Sequence, residues 1–408
     1  MLPKEVPATT SFTMRNLFLA VLLCAAPCTN HAQEVVPVSF PGFKGLTLEG
    51  DLYLPAPTEG LQVPGVVLIH GSGPVSRDSV TTGQLGMSWV APIPVFRQIA
   101  LTLQALGVAV LTYDKRSCGS FNQCYDNAYP APSLEELHSV NYFLEDAARA
   151  ARFLQNHDAV HPEAVVVAGH SQAGQFIPSL LLENQGLMGG VMLAGPFQSI
   201  DKMLMHQYQF MLDMTQNLFN LTTDEALEQV PGMQLTMELA INVTDIATGQ
   251  YSIADGAEDE IFLAGASVAF WKSWIALAEV SHDDIVRTPQ PVLIVTGDMD
   301  SNVPTEEADY WARHLDSLGQ SDRYQLEIFR CLSHSFNCIT ADDFSEQIPD
   351  TSFAITVDPR VADTIASWVF QLAEEKVGVL VASPASANSI MTALTTLLLL
   401  SPLLALFL

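Results

Sequence analysis

The segment Gly169-His170-Ser171-Gln172-Ala173-Gly174 follows the β-branched run AVVVAG (164–169) and opens a helical pattern, so a serine stands on a strand-to-helix turn. At such an elbow the serine adopts a strained backbone with its oxygen exposed. Only small residues two positions before and after it avoid collision between strand and helix, and Gly169 and Ala173 supply them. A serine hydroxyl is a weak nucleophile near neutrality. It needs an imidazole to take its proton and a carboxylate to hold that ring. Both follow in the order this elbow requires, acid before histidine. Asp298-Met299-Asp300 trails the run PVLIVTG (291–297), and Cys331-Leu332-Ser333-His334 trails YQLEIF (324–329). His334 is expected as base and Asp300 as acid, because Asp298 abuts the strand and reads as a cap of the turn. His138, His206 and His282 precede the acid or lie in helical patterns and read as ordinary polar residues.

Acyl transfer also needs donors where an oxyanion forms. The amide of Gln172, directly after the nucleophile, is one candidate. The amide of Ser72, in His70-Gly71-Ser72-Gly73-Pro74 after the run GVVLIH (65–70), is the other, and His70 itself reads as structural. A second match to the serine pattern, Gly265-Ala266-Ser267-Val268-Ala269, follows the acidic stretch GAEDEIF rather than a β-branched strand. Context selects Ser171.

These residues need a scaffold that brings strand ends to one rim. GVVLIH, VAVLTY (108–113), AVVVAG, GVMLAG (190–195), PVLIVTG and YQLEIF are apolar on both faces, as strands of a parallel sheet covered by helices are. Helical spacing fills the intervals at 94–107, 133–155 and 309–319, and again at 361–375 after the last strand. Right-handed crossovers then give a doubly wound, mostly parallel α/β sheet. EVVPVSF (34–40) and LTLEGDLYLP (46–55) alternate as an antiparallel hairpin on its edge. From 196 to 288 no comparable strand appears, so a helical cap inserted after the sixth strand is expected. The core is then 33–195 and 289–378. Six of the thirteen methionines fall between 203 and 237, and any that face the site would suit an apolar acyl group.

The chain carries 17 Lys+Arg against 45 Asp+Glu, a net charge of −28, which excludes partners bound by counterion release from phosphates, nucleic acid above all. Apolar residues make up 49% and DEKR 15%, with the apolar excess at the two ends. Residues 1–32 hold LFLAVLLCAAPC (17–28) behind Arg15 and read as a secretory signal peptide. Residues 379–408 read as a linker and a C-terminal anchor signal. Small residues, a polar spacer and LLLLSPLLALFL are built like a glycolipid-anchor site, with a tail helix as the alternative. The protein is thus expected in the secretory pathway, on the extracellular face of the cell membrane. Asn220 and Asn242 head glycosylation acceptors. Outside the signal, Cys118, Cys124, Cys331 and Cys338 make an even set. Their close spacings favour Cys118–Cys124 and Cys331–Cys338, with the crossed pairings left open.

The HGSGP loop, the YDKR segment (113–116), the GHSQAG elbow and the G-x-x-D-x-x-V-P acid loop together resemble the α/β-hydrolase superfamily, in its bacterial-type serine esterase and dienelactone-hydrolase-like members. The likeness spans nearly all of 34–376. It departs at Ser117-Cys118-Gly119 and at Ala173, which stands where a glycine is usual. The resemblance implies the α/β-hydrolase fold with an inserted helical cap, catalysis by Ser171, Asp300 and His334, and no metal or other cofactor. The expected activity is cleavage of a small-molecule carboxylic ester through an acyl-enzyme. The alternatives are a serine peptidase or aminopeptidase on the same fold, or a non-catalytic surface recognition protein on a hydrolase scaffold.

Overall fold

A computed structural model describes residues 33–56, 61–84, 87–121, 124, 138–230, 232–254, 256–339 and 355–378. The stretches taken as signal peptide (1–32) and anchor signal (379–408) lie outside the described residues. Among the described residues no helix is long and apolar enough to cross a membrane.

Eight strands form the main sheet: β1 (Glu34–Pro41), β2 (Thr47–Leu54), β3 (Val63–Ile69), β4 (Ala109–Tyr113), β5 (Val160–His170), β6 (Gly189–Leu193), β7 (Val292–Gly297) and β8 (Tyr324–Phe329). Their spatial order is β1-β2-β4-β3-β5-β6-β7-β8, and only β2 runs against its neighbours. This is an α/β-hydrolase fold. The central strands are apolar on both faces because both faces are covered. Val67 and Ile69 of β3 join one core, while Val66 and Leu68 join the other. On one side lie α1 (Val95–Ala105) and, near the C-terminus, the helix Pro359–Val377. On the other lie α2 (Asn141–Gln155) and α3 (Ile177–Glu183).

After β6 come α4 (Ile200–Phe219), α5 (Thr223–Gln229), α6 (Met233–Thr248) and α7 (Val268–Arg287), which make up the segment expected as a cap. Its entry is pinned to the core by α8 (Glu306–Ser317). There the buried Glu307 carboxylate accepts the amides of Phe197 (2.8 Å) and Gln198 (2.7 Å). The helix Pro359–Val377, α9, packs over β5 and α1.

Three local expectations shift. The helical pattern at 133–155 becomes a helix only from Asn141, since 138–140 are not helical and 133–137 lie outside the described residues. A small hairpin, Phe262–Leu263 with Ala266–Ser267, interrupts the cap where no strand was expected. Its Ser267 is the rejected serine, and it caps α7 by accepting the Phe270 amide at 3.1 Å. A further hairpin, Val80–Gln84 with Met87–Pro94, lies outside the main sheet and was not foreseen.

Both favoured disulfides form, Cys118–Cys124 and Cys331–Cys338. Asn220 stands exposed at the C-terminal end of α4, and Asn242 is half-buried within α6. The YDKR segment is anchored by ion pairs on either side of Lys115. Arg77 binds Asp114 (2.7 Å) and Arg116 binds Asp146 (2.6 Å), all buried. A buried pair adds little net stability, but removing one member strands the other charge away from water. Arg116→Ala should therefore lower the urea-unfolding free energy by about 3–5 kcal/mol with the slope unchanged.

Candidate active site

Five strand ends converge on one rim. β5 delivers Ser171, whose φ of 54° is the left-handed strain expected of an elbow. The small residues around it are required. A Cβ on Gly169 would lie 2.1 Å from the Ala173 carbonyl oxygen, and one on Gly71 would lie 2.9 Å from the Ser171 Cβ. The β3–β5 ladder pairs Ile69 with Gly169, so the loop after β3 emerges beside the serine.

From β7 comes Asp300, buried, and from β8 comes His334. The His334 Nδ1 lies 2.8 Å from Asp300 Oδ2. A carboxylate only accepts, so Nδ1 donates, and in the neutral imidazole Nε2 is then the acceptor. The other oxygen, Oδ1, accepts the amides of Asn302 (2.8 Å) and Val303 (2.9 Å), which fixes the carboxylate's orientation. Asp298 is turned away from the imidazole and accepts the Cys331 amide at 2.6 Å. It steadies the histidine loop, which the Cys331–Cys338 disulfide also closes.

The His334 ring packs on His170, 4.6 Å between centroids, and His170 immediately precedes Ser171. The His170 Nε2 donates to the His334 carbonyl at 2.9 Å. This contact ties the histidine loop to the elbow. Ser171, Ser72 and Gln172 all line a cavity of about 430 Å³.

The sequence profile of the alpha/beta hydrolase family matches residues 66–346, more than half of the chain. The chain belongs to that family. Esterase EstD of Thermotoga maritima is 25% identical over 307 residues, covering 75% of this chain and 62% of EstD, so the chain spans under two thirds of that relative's length. Two solved structures are similar in shape at low identity. Est1E from Butyrivibrio proteoclasticus has 15% identity and a TM-score of 0.44, over 84% of this chain and 99% of that one. A dienelactone hydrolase from Anabaena variabilis has 14% identity and a TM-score of 0.42, over the same 84% and 99%.

In this alpha/beta hydrolase the cavity wall is aromatic. Phe143 of α2 and Phe270, Trp271 and Trp274 of α7 line it, with the two indoles stacked at 5.6 Å. The methionine-rich helix α4 adds Ile200, Met203, Leu204 and Gln207 to the wall. Met203 reaches the cavity, whereas Met233 packs with Leu212 and Ala226 in the cap's own small core. The three histidines set aside above have neighbours of their own. His282 Nε2 lies 2.9 Å from the Phe197 carbonyl, His138 lies 3.5 Å from Asp259, and His206 sits beside Phe210. Among the described residues no cluster of three or more His, Cys, Asp or Glu side chains is placed to hold a metal ion.

Two residues of the site escaped the reading of the sequence. Gln84 accepts the His334 amide (2.7 Å) and donates to the Met299 carbonyl (3.1 Å), bridging the loops that carry His334 and Asp300. Lys115 reaches into the cavity wall beneath the loop after β3. No local pattern marks the first. The second lies in the YDKR motif, where it reads as part of an ion pair.

His70, packed against Phe96 and Tyr113, and His170 are both pushed by burial down to about 3. Unfolded, each takes a proton near pH 6.5. Their contribution is therefore intact above pH 6.5 and is lost as the pH falls towards 3, because the unfolded chain binds protons that the fold refuses. Urea unfolding at pH 5 should show a stability lower than at pH 7 by on the order of 2 kcal/mol per histidine.

Proposed function

We propose that this alpha/beta hydrolase is a secreted or cell-surface serine esterase, with Ser171 as nucleophile, His334 as base and Asp300 as the carboxylate that orients it. The observation that carries the reading is the 2.8 Å Asp300–His334 bond, on a ring that packs against the residue preceding a strained serine. His334 Nε2 takes the hydroxyl proton as Ser171 Oγ attacks the ester carbonyl carbon. The amides of Ser72 and Gln172 receive the developing oxyanion. Collapse expels the alcohol, to which His334 returns the proton, and water then attacks the acyl-enzyme to release the acid.

The cavity favours an ester over an aminoacyl substrate. Among the described residues none that lines it is Asp or Glu to neutralise a free α-ammonium group, while the aromatic wall accepts an apolar acyl chain. The similarity to an esterase points the same way. Two disulfides support an oxidising compartment, and release of the protein from cells by a phosphatidylinositol-specific phospholipase would establish the lipid anchor.

A fluorophosphonate probe should label the wild type and leave Ser171→Ala unlabelled. Asp300→Asn should lower kcat by about 10⁴-fold, since the imidazole is then held in the wrong tautomer. p-Nitrophenyl esters should be turned over in preference to aminoacyl anilides. The opposite preference makes the protein a peptidase, and labelling of Ser171→Ala moves the nucleophile elsewhere.

A further inference from the structure

Among the described residues Lys115 is the one cation lining the cavity, and it stands on β4's continuation as Gly71 stands on β3's and Ser171 on β5's. The ladders pair Val67 with Leu111 and Ile69 with Gly169. Carried past the strand ends, those registers seat Gly71 between Lys115 and Ser171. The contacts agree. Lys115 Nζ donates to the Gly71 carbonyl at 2.5 Å and to Gln172 Oε1 at 3.4 Å, and it lies 4.4 Å from the Phe143 ring centroid. Asp114 and Asp146 are committed to Arg77 and Arg116, and among the described residues no carboxylate pairs with Lys115.

In a trans peptide the carbonyl and the next N–H point in opposite directions. Holding the Gly71 carbonyl on the ammonium therefore turns the Ser72 N–H away from Lys115. A cation on the carbonyl also polarises that peptide and strengthens its N–H as a donor. We propose that Lys115 is a positioning residue of the oxyanion hole, gripping the Gly71 carbonyl to aim the Ser72 amide while its bond to Gln172 steadies the residue that gives the second amide. The proposal rests on the serine-esterase reading above. Burial pulls the lysine down to about 7, a cost that a purely structural contact would avoid with a neutral donor.

The test compares Lys115→Met and Lys115→Arg with the wild type on p-nitrophenyl butyrate, with inhibition by a trifluoromethyl ketone measured alongside. An oxyanion-hole role predicts that Lys115→Met loses about 10²-fold in kcat. KM should stay within about threefold, because the contact matters only in the transition state. Affinity for the ketone should fall in step with kcat/KM, and Lys115→Arg should recover most of the loss. An unchanged kcat, a loss confined to KM, or an equal loss in the arginine variant overturns the proposal. If Lys115→Met does not fold, Lys115→Gln is read by the same criteria. A wild type that neither labels with the fluorophosphonate nor turns over the ester overturns the esterase reading itself. A wild type that does both, beside an unaffected Lys115→Met, overturns only the role of Lys115.

Discussion

The parallel register of the central strands is the constraint on which the site depends. Neighbouring strands lie about 4.8 Å apart, so residues just beyond their carboxyl ends are held at side-chain distance from one another. Ser171 follows β5 by one residue, Gly71 and Lys115 follow β3 and β4 by two, Asp300 follows β7 by three, and His334 follows β8 by five. Where loops are this short, the sheet itself does the positioning. The space is tight enough that side chains are excluded at Gly71 and Gly169, and a serine is forced to a positive φ.

The histidine has the longest loop and accordingly the most restraints. Asp298 holds the Cys331 amide, Gln84 holds the His334 amide, His170 holds the His334 carbonyl, and a disulfide closes the loop. Each bond fixes backbone, so the Asp300 contact has only the imidazole left to orient. On the opposite flank the two arginine–carboxylate pairs fix Asp114 and Arg116, which leaves the intervening lysine directed at the loop after β3.

Much of this was legible in the chain because local rules apply to it. Runs apolar on both faces mark buried strands, and the small residues flanking Ser171 mark the elbow. The order of serine, acid and histidine narrowed many polar residues to three. Ser267 shows the limit of pattern alone: it satisfies the same spacing and serves as a helix cap. The choice of Asp300 over Asp298 rested on depth in the loop, and the hydrogen bonds agree with it. The start of α2, the hairpin Val80–Gln84 with Met87–Pro94 and the aromatic character of the cavity were not legible. They depend on which elements pack together, and propensity does not encode that.

The sequence by itself determined the fold class, the strand ends that bear Ser171, Asp300 and His334, and the cysteine pairs close enough to join, because each follows from periodicity or from spacing along the chain. Only the tertiary structure decided that Gln84 bridges two loops from more than two hundred residues away, that α7 brings its aromatic side chains to the cavity, and that Lys115 meets Gly71. These are contacts between segments remote in sequence. They arise when strands align and a cap folds over them, and no single stretch of chain carries their signature.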